Sequence, residues 1–282
     1  MKKQIDFYKM VAAGNDFVVI GEKLQANNAE LADLARKICD RKYGIGADGM
    51  LLIEKSKEAD FGMRIFNADG SEAEMCGNGA RCSALYAEPQ MKKSPYAKRG
   101  EKAKIIKLET KAGIIESEVN NDSVRIKLTP PKDIKLNIPI KVSNRLLKVN
   151  FVNTGVPHTV IFVEGINKID VENLGRIIRY HPKFSPKGTN VNFVEVAGDN
   201  FIKVRTYERG VEAETLACGT GSSASAIITG CRLKSAGSRI VSVKTKSGEI
   251  LKIYFEKNNN KFQNVWLEGK AKFVYKGRYQ MR

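Results

Sequence analysis

Histidine is scarce in this 282-residue chain: only His158 and His181 occur. The five cysteines, at positions 39, 76, 82, 218 and 231, are odd in number and form no Cys-x-x-Cys pair. These shortages argue against the usual zinc sites and against the disulfide framework of a small secreted protein, so reduced thiols are expected. No apolar run approaches the roughly 20 residues of a membrane-spanning helix, and no membrane partner is expected. The opening Met1-Lys2-Lys3-Gln4-Ile5-Asp6 turns polar at once instead of entering an apolar signal core, so the expected location is cytoplasmic. Tyr43-Gly44-Ile45-Gly46-Ala47-Asp48-Gly49 is rich in glycine but lacks the Gly-Lys-Ser/Thr of a P-loop, and it reads as a loop making close backbone contacts.

Acidic residues are outnumbered, 31 against 48 Lys and Arg, giving a formal charge of +17. A nucleic-acid surface is one explanation, because clustered cations give sequence-independent affinity for phosphates. Here the lysines are scattered among acidic residues, with a modest run from Lys92 to Lys107, and no nucleic-acid motif accompanies them. A solvated basic surface that also attracts anionic metabolites is the better reading, with no nucleic-acid partner.

What the chain does contain is a duplicated device. Arg64-Ile65-Phe66-Asn67 reads as a strand, is followed by an acidic loop to Glu74, and leads into Cys76-Gly77-Asn78-Gly79. Val204-Arg205-Thr206-Tyr207, an acidic loop to Glu214 and Cys218-Gly219-Thr220-Gly221 repeat the pattern. After each cysteine comes a run of small or apolar residues, Ala80 with Cys82 to Leu85 and Ser222 to Ile228, which reads as a helix small or apolar on nearly every side and therefore buried. Each cysteine then sits at a helix entrance, where free N–H groups and the positive end of the dipole favour an anion. A single Cys-Gly would mean little, since cysteines are commonly small buried hydrophobes; two in matching contexts favour chemistry.

Elsewhere, Asn28 is a plausible N-cap for a helix with Leu31, Leu34, Ala35 and Ile38 on its apolar face. A second helix is expected over 171–181, and Glu88 to Lys104, with Pro89 and Pro95, reads as an exposed connection. Most of the remainder alternates as strand, notably Val124 to Leu128. Asn15 and Asp16 in the turn after Gly14 would, on spacing alone, bond to their own backbone, and His158 between two strands would be an ordinary surface or hydrogen-bonded residue. The expected fold is α+β, with two pseudo-symmetric halves, each a mostly antiparallel sheet or barrel wrapped around its own helix. The N-terminal half would span 1–123, joined by a returning strand over 270–282, and the C-terminal half 124–269. The two cysteines would face each other at the junction, where ligands favour binding.

Two opposed thiols flanking one carbon can remove a proton from one face and deliver one to the other, which inverts a stereocentre. Helix N-termini aimed at an adjacent carboxylate would stabilise the carbanion, each donor contributing ~2.7–4 kcal/mol in comparable sites. Neither PLP nor a metal is required.

The chain resembles the diaminopimelate epimerases over essentially its whole length. The resemblance is carried by Gly14-Asn15-Asp16-Phe17, Gly44-Ile45-Gly46-Ala47-Asp48-Gly49, Asn67-Ala68-Asp69-Gly70 running into Cys76-Gly77-Asn78-Gly79-Ala80-Arg81-Cys82, Pro157-His158, Asn190-Val191-Asn192, and Glu208-Arg209-Gly210 running into Cys218-Gly219-Thr220-Gly221. It implies a cofactor-free isomerase that interconverts LL- and meso-2,6-diaminopimelate for lysine and peptidoglycan precursor synthesis, acting as a homodimer. Cys76 and Cys218 would be the acid and base, with His158 and Glu208 tuning them. Asn15, Asn67, Gly77, Asn78, Asn190, Glu208, Arg209, Gly219 and Thr220 would hold the substrate. The alternatives are a racemase or isomerase of the same fold acting on another amino acid, and a basic nucleic-acid-binding module.

Overall fold

In the computed structural model, which describes residues 4–21, 24, 26–92, 105–143, 145–232, 237–259 and 261–281, the chain divides into two units, 1–126 with 269–282, and 127–268. The first is built from β1 (Gln4–Ala12), β2 (Asn15–Ile20), α1 (Asn28–Cys39), β3 (Gly49–Glu54), β4 (Phe61–Asn67), β5 (Glu72–Ala73), α2 (Gly77–Lys92), β6 (Ile106–Thr110), β7 (Gly113–Asn120) and β8 (Ser123–Lys127). The second is built from β9 (Lys132–Val142), β10 (Arg145–Asn153), β11 (Pro157–Phe162), α3 (Val171–Arg179), β12 (Asn190–Gly198), β13 (Phe201–Glu208), β14 (Ala213–Thr215), α4 (Gly219–Arg232), β15 (Gly237–Lys244), β16 (Ile250–Asn258) and β17 (Lys261–Lys270). Finally β18 (Lys272–Gln280) returns to the first unit and pairs with β1.

The strand pairing of the first unit recurs in the second. β1 and β2 are antiparallel, as are β10 and β11. β2 and β3 run parallel across the crossover that carries α1, and β11 and β12 do so across α3. β4 takes β3 and β5 antiparallel and β6 parallel; β13 takes β12 and β14 antiparallel and β15 parallel. The series closes antiparallel through β6–β7–β8 and β15–β16–β17, and β9 backs β10 as β18 backs β1. This is the duplicated, mostly antiparallel α+β architecture that the repeated cysteine motif led us to expect.

Inside each unit one helix is central. α2 touches β1, β2, β3, β4, β6 and β7, while α4 touches β10, β11, β12, β13, β15 and β16. Small side chains, with Arg81 the exception, permit this enclosure: Asn78 to Ala84 and Gly221 to Gly230 are buried without a break. Three buried hydroxyls of α4 are satisfied within the helix, Ser223 donating to Gly219 O (3.0 Å), Ser225 to Gly221 O (2.8 Å) and Thr229 to Ser225 O (2.8 Å). A helix with hydroxyls can thus be buried all round at little cost in unmet polar groups.

The outer helix α1 lays Leu31, Leu34, Ala35 and Ile38 against Val18, Met50, Leu52 and Phe66. Each large apolar side chain so buried stabilises the fold by about 1.5–3 kcal/mol. Its N-cap is Asn27 rather than the expected Asn28: Asn27 Oδ1 accepts Glu30 N–H (3.0 Å) and Glu30 Oε2 accepts Asn27 N–H (2.8 Å). Only this register places a glutamate at the third helical position to close the reciprocal box. At the other end, Ile45 and Gly46 N–H both donate to Ile38 O, and Ala47 N–H donates to Cys39 O. A side chain on Gly44 would meet Lys37 O at 2.2 Å, so the glycine-rich loop serves as the C-terminal cap of α1.

Two boundaries differ from the sequence expectation. α2 continues to Lys92 with Pro89 inside it, where a connection was expected from Glu88; Pro89 forfeits one helical bond without ending the helix. The remainder of that connection, 93–104, lies outside the described residues. α3 stops at Arg179, two residues short of His181, with Tyr180 as its cap. No helix among the described residues is long and apolar enough to cross a membrane.

Candidate functional site

In each unit the predicted site residues gather at one end of three adjacent strands. In the first, the register aligns Phe17, Gly49 and Asn67 across β2, β3 and β4, so Asn15, Asp48 and Asn67 share one sheet end. In the second, His158, Asn190 and Glu208 occupy the corresponding end of β11, β12 and β13. The cysteine that opens the central helix follows each set by one short strand, β5 or β14.

Cys76 and Cys218 are the N-caps of α2 and α4: Ala80 N–H donates to Cys76 O (2.8 Å) and Ser222 N–H to Cys218 O (2.9 Å). Their sulfurs take the place of the usual capping oxygen, Cys76 Sγ accepting from Gly79 N (3.4 Å) and Cys218 Sγ from Gly221 N (3.3 Å). The preceding N–H groups, of Gly77 and Asn78 or Gly219 and Thr220, lie before the first intrahelical bond and are the natural seat of an anion. The third residue after each cysteine is tightly enclosed, Gly221 more so than Gly79. A Cβ on Gly221 would lie 2.3 Å from Asn192 Oδ1 and 3.2 Å from Cys218 Sγ, and one on Gly79 would lie 3.0 Å from Leu51. Thr220 adds a hydroxyl 3.4 Å from Cys218 Sγ, while its carbonyl accepts from Thr154 Oγ1 (3.1 Å).

His158 is fully buried, and burial, reinforced by the charge of Arg209, pushes its imidazole down to about 3. It is therefore neutral near pH 7. Asn192 fixes its tautomer: Thr206 Oγ1 donates to Asn192 Oδ1 (3.0 Å), so Asn192 Nδ2 donates to Thr159 O (3.1 Å) and to His158 Nδ1 (3.1 Å). The ring proton resides on Nε2, which has no partner among the described residues. Asn192 also abuts Gly221, and it is a site residue to which sequence reasoning assigned no role. Burial pushes the Glu208 carboxyl above the usual carboxylate range. Asn190 is already a cross-link: its Nδ2 donates to Pro157 O (3.0 Å) and its Oδ1 accepts Arg209 N–H (2.9 Å). Arg209 Nη1 donates to Lys187 O (3.1 Å).

In the first unit, Asn15 does not bond to its own turn. Its Nδ2 donates to Asp48 Oδ2 (3.0 Å), and its Oδ1 accepts from Asn78 Nδ2. Asp48 is held by Arg41 (2.7 Å), which also grips Asp16 (2.8 Å). Burial works against the Asp16 carboxylate, but Arg41 and buried Lys9 override it and hold the group well below the usual range. Asn67 Nδ2 donates to Ser71 Oγ (3.0 Å), whose hydroxyl donates to Asp69 (2.6 Å). Gly49 sits where a Cβ would meet Phe66 O at 2.8 Å.

The duplicated sheet around a central helix defines the fold class, and solved structures share it. The Bacillus anthracis phenazine biosynthesis protein of the PhzF family superposes with a TM-score of 0.75 at 17% identity, covering 99% of this chain and 100% of its own. A hydroxyproline epimerase from Agrobacterium vitis does so with a TM-score of 0.68 at 16% identity, covering 100% of this chain and 94% of its own. Within that class the chain belongs to the diaminopimelate epimerase family, whose model matches residues 7–133 and 150–274. The diaminopimelate epimerase of Aquifex aeolicus (strain VF5) is 43% identical over 97% of both chains. That of Hydrogenobaculum sp. (strain Y04AAS1) is 44% identical over 95% of this chain and 96% of its own length.

Proposed function

We propose that this protein is an isomerase that interconverts LL- and meso-2,6-diaminopimelate without PLP or metal, by a two-base reaction of Cys76 and Cys218. The observation that carries the reading is the pair of cysteine N-caps, one opening the central helix of each unit, in a chain of this family. One thiolate takes the α-proton; the electron pair left on carbon spreads into the adjacent carboxylate, and the other thiol returns a proton on the opposite face. The N–H groups of Gly77, Asn78, Gly219 and Thr220 stabilise the developing oxyanion, at ~2.7–4 kcal/mol for each well-placed donor. His158, neutral with its proton on Nε2, and Glu208, whose carboxyl burial raises above the ordinary range, tune the thiols. Asn15, Asn67, Asn190, Glu208 and Arg209 grip the rest of the substrate, and the fork of Arg209 suits a carboxylate. The two units act as the enzyme's two domains, in the cytoplasm, as a homodimer that uses the exposed apolar stretch Phe273, Val274 and Tyr275 of β18. The test is conversion of LL-diaminopimelate by reduced protein, followed by chiral chromatography until the LL and meso forms equilibrate. Turnover of another amino acid in place of diaminopimelate would contradict the substrate, and generic DNA binding that falls steeply with salt would point to the basic surface instead.

A further inference from the structure

Arg81, three residues into the helix beyond Asn78, has no role in the reading above, yet it is fully buried and its Nη2 donates to Asn78 Oδ1 (2.7 Å). From there a line of hydrogen bonds runs through Asn78 Nδ2 to Asn15 Oδ1, and through Asn15 Nδ2 to Asp48 Oδ2 (3.0 Å). A guanidinium can only donate and a carboxylate can only accept. Asn78 must therefore turn its oxygen to Arg81 and its nitrogen to Asn15. Asn15 must in turn show its oxygen to Asn78 and its nitrogen to Asp48. A primary amide between neutral partners can flip; these two have one allowed orientation each. Asp48 is itself fixed, by Arg41 Nη2 (2.7 Å) and by Asp16 N–H (3.2 Å). Each amide nitrogen keeps a second N–H with no acceptor among the described residues.

We propose that Arg81 and Asp48 are positioning residues, which lock the Asn78 and Asn15 amides in one orientation so that Asn15 meets the substrate with an N–H donor aimed at a carboxylate. The proposal rests on the diaminopimelate reading and adds a specificity device to it: the site recognises an acceptor because the two ends of the chain have opposite polarity. It assigns function to side chains 33 residues apart, Asn15 and Asp48, that local spacing does not connect.

Asp48→Asn is the direct test, because it keeps the shape but gives the acceptor end both polarities, releasing the lock. The expected result is a rise of about tenfold in KM for diaminopimelate, the size of one lost hydrogen bond to a charged group, with kcat nearly unchanged. Arg81→Met is expected to act in the same way, and Arg81→Lys, which keeps a donor-only end, to restore part of the loss. Because Arg81 is buried, those variants can unfold, and the exposed Asp48 keeps the test open. The second readout needs no turnover: the side-chain amide signals of Asn15 and Asn78 in nitrogen-15 NMR, assigned by single substitutions, should exchange slowly with water in the wild type and faster in Asp48→Asn. Unchanged KM and unchanged amide exchange in a folded Asp48→Asn protein would overturn the proposal while leaving the enzyme reading intact. Faster amide exchange in Asp48→Asn, beside a wild type that does not turn over diaminopimelate, would uphold the lock and sink the substrate. Equal losses in kcat and kcat/KM without any change at the amides would mark Asp48 as structural only, and would also overturn it.

Discussion

Burial fixes the charge of His158 before any ligand arrives. Its folded-state value of about 3 lies below the ordinary 6.5, so between those limits the unfolded chain binds a proton that the folded protein refuses. Its contribution to stability is present above pH 6.5 and is lost as pH falls toward 3, at up to about 1.4 kcal/mol per pH unit. His158→Gln should therefore flatten the loss of urea-unfolding stability between pH 7 and 5; an unchanged slope would show that this imidazole is charged when folded. The sequence alone could not supply this, because a histidine between two strands looks the same whether its ring faces solvent or is enclosed. Asn15 is a similar case. In Gly14-Asn15-Asp16 the local pattern suggests a self-bonded turn, yet the partners are Asp48 and Asn78, brought in by the parallel β2–β3 pairing and by the start of α2. The cysteines were legible for the opposite reason: their device is local and occurs twice.

The helices carry the site, and their ends decide where it lies. The period of α1 was plain in the sequence and its cap was misplaced by one residue, because Asn27 and Asn28 are equally good caps until Glu30 chooses between them. Asn27→Ala should cost about 0.5–2 kcal/mol in chemical denaturation, whereas Asn28→Ala should cost less than half as much; the reverse order would contradict the capping box. The end of α2 was not legible, since Pro89 signals a break that the buried first turns of the helix outweigh. At the start of α4, Gly221→Ala places a methyl 2.3 Å from Asn192 Oδ1. Overpacking of this kind destabilises by about 1–3 kcal/mol and displaces the donor to Cys218 Sγ. The expected outcome is a lowered melting temperature and loss of most activity; a stable, fully active Gly221→Ala protein would remove the cap from the account of the thiol.

At the scale of the whole molecule, one arrangement of nine strands and two helices has been used twice, and each copy ends its strand layer on a cysteine-capped helix. The repeat was readable from the paired motifs, while the matching crossovers through α1 and α3 became visible only from the strand register. β18 leaves Val274 more than half exposed beside Phe273 and Tyr275. Sedimentation of the wild type should give a dimer at micromolar concentration, and Val274→Glu should shift it toward monomer; a monomeric wild type would contradict that assembly. The measurement that bears most directly on the two-base reaction is hydrogen exchange during turnover. Reduced protein is incubated with LL-diaminopimelate in deuterated water, beside Cys76→Ala and Cys218→Ala, and deuterium at the α-carbon is followed together with stereochemistry. Two bases require that the wild type incorporate deuterium with inversion and that both variants lose inversion. Inversion that survives removal of either cysteine would contradict it.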